Sequence, residues 1–90
     1  MFTEKDRELL KTAIEKWGYG AQELQCIEEC SELTTAILHR SRNKCNDEDV
    51  ITEIADVIIM CEQMRLLYGD KLVDAEIRRK MDRLEERLAK

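Results

Sequence analysis

Val50-Ile51-Thr52-Glu53-Ile54-Ala55-Asp56-Val57-Ile58-Ile59-Met60-Cys61-Glu62-Gln63-Met64 is the stretch whose reading decides the fold. Its isoleucines and valines would suit a strand, but the run shows no alternation and continues in the same style to Tyr68. Length and the missing period of two predict a helix from about Glu48 to Tyr68, with Asn46 or Asp47 as its N-cap. That helix is apolar on most sides, and a helix of this kind is expected to be buried. Glu53 and Asp56 interrupt it. They lie three residues apart and so share a face. Ionised carboxylates at a buried surface need a cation, a metal ion or hydrogen-bond donors.

A second acidic cluster, Glu28-Glu29-Cys30-Ser31-Glu32, lies in a segment predicted helical from about Ala21 to His39. Leu24, Ile27, Cys30, Leu33, Thr34, Ile37 and Leu38 give that helix a broad apolar stripe. Glu29 and Glu32 share a face and Glu28 sits beside them; like charges at these spacings weaken a helix by roughly 0.2–0.5 kcal/mol per pair. Alone, these glutamates read as solvated surface. Facing Glu53 and Asp56 from an adjacent helix, they would form a pocket of hard oxygen ligands suited to Mg²⁺ or Mn²⁺.

Working outward, Thr3 followed by Asp6 marks the start of a helix from about Glu4 to Lys16, with Leu9, Leu10, Ala13, Ile14 and Trp17 on its apolar face. By spacing, Trp17 is a core residue. Gly18 and Gly20 end this helix. Arg40 to Asp47 is the main loop, with His39 expected to cap the helix before it and, as the alternative, to contact a base or phosphate. Gly69 and Asp70 separate the third helix from a last one running to about Leu88. On that last helix, Leu72 or Val73, Ile77, Met81, Leu84 and Leu88 form a narrow seam. Its opposite character is basic. Arg79, Arg83 and Arg87 recur every four residues beside Lys80, a line suited either to phosphate or to acidic residues of another helix or subunit. Glu76 with Lys80 and Arg78 with Asp82 are expected intrahelical pairs.

The fold class is therefore all-α, an antiparallel four-helix bundle in a single domain spanning residues 1–90. Ninety residues without proline, with three glycines and 39% charged residues, agree with helices on short connections. So small a core makes assembly into a homodimer or homotetramer a reasonable expectation. The net charge of −5 argues against nucleic acid as a partner. No apolar run is long enough to span a bilayer, and the charged start from Met1 to Leu10 is neither a signal nor a transit sequence, so a soluble cytoplasmic protein is expected. Cys26, Cys30, Cys45 and Cys61 read as small buried hydrophobes with reduced thiols. A zinc site on Cys45 and His39 lacks further ligands at recognised spacing. Phosphate-loop, dinucleotide-turn and His-Glu-x-x-His motifs are absent, and Ser31 has no histidine at a recognisable spacing.

Glu28-Glu29-Cys30-Ser31-Glu32, the intervening Leu33 to Thr52, and Glu53-Ile54-Ala55-Asp56 together resemble the Glu-Glu-x-x-Glu … Glu-x-x-Asp signature of MazG-like nucleotide pyrophosphohydrolases, of the all-α NTP pyrophosphatase superfamily. Lys16-Trp17-Gly18, Gln22, Asp56-Val57-Ile58-Ile59-Met60 and Lys80-Met81 … Arg83 … Arg87 extend the likeness to short single-domain members. The resemblance implies Mg²⁺-dependent cleavage of a nucleoside triphosphate between its α and β phosphates. It implies Glu29, Glu32, Glu53 and Asp56 as Mg²⁺ ligands, with Glu28 supporting them or orienting water. Lys80, Arg83, Arg87, Gln22 and Trp17 become substrate-binding positions. Leu84 stands where some dCTP-cleaving relatives carry asparagine, which speaks against cytosine-type recognition. The competing reading is a non-enzymatic helical module whose acidic clusters are solvated or paired with the arginine helix.

Overall fold

The computed structural model describes residues 1–90 and contains four helices and no strand: α1 (Glu4–Trp17), α2 (Tyr19–Ser41), α3 (Asp47–Tyr68) and α4 (Asp70–Leu88). Local chemistry accounts for most of the boundaries. The Thr3 hydroxyl accepts from the Asp6 amide at 3.0 Å while the Asp6 carboxylate accepts from the Thr3 amide at 2.9 Å. Asn46 and Asp49 repeat this reciprocal arrangement ahead of α3, at 3.1 Å in each direction. Each satisfies two donors that a helix start would otherwise leave unpaired.

Two glycines make the other joints. Gly18, at φ +89°, ends α1 and begins α2 by itself, and Gly69, at φ +116°, does the same between α3 and α4. Residues with side chains rarely adopt such angles. Three expected boundaries shift accordingly. Gly20 lies inside α2, Asp70 is the first helical residue of α4 rather than its cap, and α2 continues past His39 to Ser41.

α2 and α3 form the principal pair, an antiparallel hairpin. Tyr68 hydrogen-bonds Glu23 at one end, and Cys45, just before α3, donates to the Ala36 carbonyl at the other. The least exposed residues of α2 include Gln22, Cys26, Glu29, Leu33 and Ala36; those of α3 include Glu53, Asp56, Met60, Gln63 and Leu67. Steps alternating between three and four are the seam of a left-handed coiled coil. α1 packs on the hairpin's open end, where the Gln63 side chain, 1% exposed, donates to the Leu10 carbonyl at 3.0 Å. α4 touches α3 alone. The bridge is Arg65, which reaches Glu62 at 3.0 Å and Asp74 at 2.7 Å, while Arg7 of α1 reaches the other Glu62 oxygen at 3.3 Å.

The apolar expectations need correcting. Only five residues are buried, and only Ala36 and Met60 among them are hydrophobic. Apart from Leu33, which turns into the seam, the stripe expected to bury α2 faces largely outward, with Ile27 63% exposed and Leu24, Ile37 and Leu38 also open. α3 buries no isoleucine, the seam of α4 has no partner in the chain, and Trp17 is 59% exposed rather than core. Periodicity correctly marks these faces as apolar, but the hairpin closes on a different, more polar face. Two of the four thiols, Cys30 and Cys61, are exposed, and none is oxidised to a disulfide. No helix is long and apolar enough to cross a membrane.

Candidate metal centre

Glu29 of α2 and Glu53 and Asp56 of α3 occupy seam positions that a coiled coil ordinarily fills with apolar side chains. The antiparallel pairing brings them together. One carboxylate oxygen from each lies within 4.8 Å of the other two, and each residue is half-buried. Glu29 Oε1 accepts from Gln25 Nε2 at 2.8 Å. Glu29 Oε2 and Glu53 Oε2 are shielded from solvent and have no hydrogen-bond partner. Burial pushes the Glu29 carboxyl above its ordinary pKa; the Gln25 amide opposes this, and the neighbouring Glu32 and Asp56 reinforce it. No lysine or arginine pairs with any of the three. Three hard oxygen donors converging without a counter-charge are a donor set able to hold a metal ion.

Glu32, one turn on from Glu29, is exposed and outside the trio, and its charge helps raise the Glu29 carboxyl. Glu28 is exposed and outside the trio. Beside the trio opens a cleft of about 400 Å³ lined by Ser31, Glu32, Thr35, His39, Asp49 and Glu53, among others. Thus Glu32 and Glu53 connect the carboxylates to a cavity of ligand size. His39, expected as a helix cap with base or phosphate contact as the alternative, lines this cleft; it is the Arg42 and Lys44 amides that bond its backbone carbonyl, at 3.1 and 2.8 Å. Its place one to two turns beyond Glu32 on α2 was the available signal. Cys45 lines the cleft too, with its thiol donating to the Ala36 carbonyl at 3.4 Å.

The remaining expected site residues lie elsewhere. Gln22 is buried in the seam two turns before Glu29. Trp17 ends α1, with the Lys16 ammonium 5.7 Å from its ring centre. Lys80, Arg83 and Arg87 are exposed and make no ion pair, whereas Arg79 is taken by Glu76 and Arg78 by Asp82. Since α4 touches only α3, no contact within the chain brings this basic line to the carboxylates of α2. Comparisons with protein-family models, with curated proteins and with solved structures gave no match.

Proposed function

We propose that the chain is a Mg²⁺-dependent nucleoside triphosphate pyrophosphohydrolase of MazG-like type, cleaving an NTP or dNTP to the monophosphate and pyrophosphate. One observation carries the reading: three carboxylates meet inside a helical seam, two of their oxygens buried and unpartnered, beside an open cleft. Glu29, Glu53 and Asp56, joined by Glu32, are the residues that hold the cation, with Mn²⁺ an alternative. A cation held by these carboxylates would supply charge neutralisation for phosphate and activation of water. Glu28 orients water or supports the ligand set. Lys80, Arg83 and Arg87 donate to phosphate oxygens from another copy of the chain, in a homodimer or homotetramer.

A panel of NTPs and dNTPs assayed for pyrophosphate release in Mg²⁺ tests this directly. Glu32→Gln and Asp56→Asn are expected to abolish turnover while the helical circular dichroism persists; hydrolysis retained by both overturns the assignment. The extensive exposed apolar surface favours a second reading, a helical interaction module without catalysis. Thermal stability separates the two. Millimolar Mg²⁺ with a non-hydrolysable triphosphate stabilises the enzyme and leaves the module unchanged.

A further inference from the structure

Three of the four thiols gather on one side of the α2–α3 hairpin. Cys26 and Cys30 lie one turn apart on α2 and, with Met64 and Tyr68 of α3, border a depression of about 320 Å³. Cys61, Met64 and Tyr68 follow one another up a single stripe of α3, at steps of three and four. The same Met64 and Tyr68 border a second depression, of about 390 Å³, that Cys61 lines. The register of the seam agrees. Glu29 meets Asp56, so Cys26, one seam step earlier on α2, falls level with Met60, one step later on α3, and Cys61 is the next residue. Cys26 is half-buried there, while Cys30 and Cys61 are exposed. Burial pushes the Cys26 thiol up to about 11, and both Cys30 and Cys61 add to the rise. Cys26 is thus the sulfur that neighbours the other two. Glu23 accepts from the Tyr68 hydroxyl at 2.8 Å and Arg65 holds Glu62 and Asp74, so neither depression offers a free cation to a thiolate.

We propose that Cys26 and Cys61 are a redox pair, which a low-molecular-weight disulfide such as oxidised glutathione converts to a covalent bond between α2 and α3. Exposure sets the order of events. The Cys61 thiolate attacks one sulfur of the small disulfide; that S–S bond breaks, one small thiolate leaves, and Cys61 carries a mixed disulfide. Cys26, its proton lost to solvent, then attacks Cys61 Sγ, and the second small thiolate leaves. Two electrons pass from the protein to the small disulfide, and the two protons given up by the protein are taken by the released thiolates. The high pKa of Cys26 fits the second role. From solution it is a poor attacker, but the repulsion from a Cys61 thiolate ends once that sulfur is bonded, and the target is then held beside it. Cys30 is the poorer partner for Cys26. Side chains four apart on a helix hold their Cβ atoms about 5–6 Å apart, against ~3.5–4.5 Å in a disulfide. The bond closes the hairpin one seam step from Glu29, limiting how far α2 and α3 can part beside the carboxylates.

Equilibration of the full chain in a series of glutathione redox buffers, native and in urea, followed by acid quenching and peptide mapping, tests the pair. Expected in the native protein is an intrachain bond between Cys26 and Cys61, with the chain lighter by two hydrogens. It should form at a glutathione ratio at least ten-fold more reducing than the same bond requires in urea, because only the fold holds the two sulfurs together. Cys30→Ser should keep the bond, and Cys61→Ser should leave Cys26 without an intrachain partner. Bonding of Cys26 to Cys30, a bond between chains alone, or equal ease of formation in urea overturns the inference. So does native protein that stays reduced, or stops at mixed disulfides, across the whole series. The measurement contains neither metal nor nucleotide, so this pair and the hydrolase reading stand or fall separately.

Discussion

Glu29 sits where a helical hairpin ordinarily places a leucine, and its carboxyl responds to that position. Burial, helped by Glu32 and Asp56, raises its folded pKa above the unfolded value. The fold therefore carries the cost of its ionised form above that folded pKa, and the cost is relieved as pH falls through it. Glu29→Gln is accordingly expected to raise the melting temperature in EDTA at neutral pH and to lose most of the stabilisation that Mn²⁺ or Mg²⁺ gives the parent. Paired thermal scans with and without metal read both effects. A lower melting point in EDTA for the variant would mean that the carboxylate is satisfied by something other than a cation. Gln63 is the contrasting polar residue in the same seam. Its amide nitrogen ties α3 to Leu10 while its oxygen is left without a partner. Gln63→Ala, measured by urea denaturation, should cost about 1–3 kcal/mol through the lost hydrogen bond and the void left behind. Glu53 and Asp56 were legible in the sequence because they interrupt an apolar run, whereas Glu29 gained meaning only as their facing neighbour. Gln22 and Gln63 were not singled out as seam residues, since a buried amide has no signature until its facing helix is known.

At the scale of single helices, α4 is the least secured. Hydrogen bonding from the Arg65 guanidinium holds the Asp74 carboxyl below the usual carboxylate range. A lowered folded pKa gives stability that is present above the unfolded value and is lost as pH falls through the folded one. Asp74→Asn should therefore flatten the acid limb of melting temperature against pH and lower the neutral and alkaline part without changing its slope. Gly69 sets the other restraint. A methyl group added there would lie 3.1 Å from Leu72 Cδ1 at φ +116°, so Gly69→Ala should destabilise by about 1–2 kcal/mol. Thr3 with Asp6, Asn46 as one of two candidate caps, and Gly69 were legible because such residues act through their immediate neighbours, whereas the ends at Gly20, His39 and Asp70 were misplaced. The face each helix buries was less so. The α2 stripe through Leu24, Ile27 and Ile37 has the right period, yet α3 packs against Gln22, Cys26, Glu29, Leu33 and Ala36 instead. Period reveals an apolar face but not which neighbour covers it.

The whole chain is extended for its length. Its radius of gyration is 15.7 Å, against about 12 Å for a compact domain of this size. The sequence supports four helices on short joins, and the structure has them, with α4 resting on α3 alone rather than closing a bundle. A stable fold that depends on association must melt with a concentration dependence. Raising the protein concentration 100-fold should raise the melting temperature by several degrees, as mass action requires. An unchanged melting temperature over that range would leave the exposed isoleucines without a stabilising role.

The attachment of α4 by one glycine joint, Arg65 and a few apolar contacts has a kinetic counterpart. A helix that rests on a single neighbour can detach while the hairpin stays intact, because nothing on its other sides must break first. In deuterated solvent the amides of Asp70–Leu88 should then exchange ahead of those flanking Met60 and Ala36, and a protease should first cleave at the basic run Arg78-Arg79-Lys80.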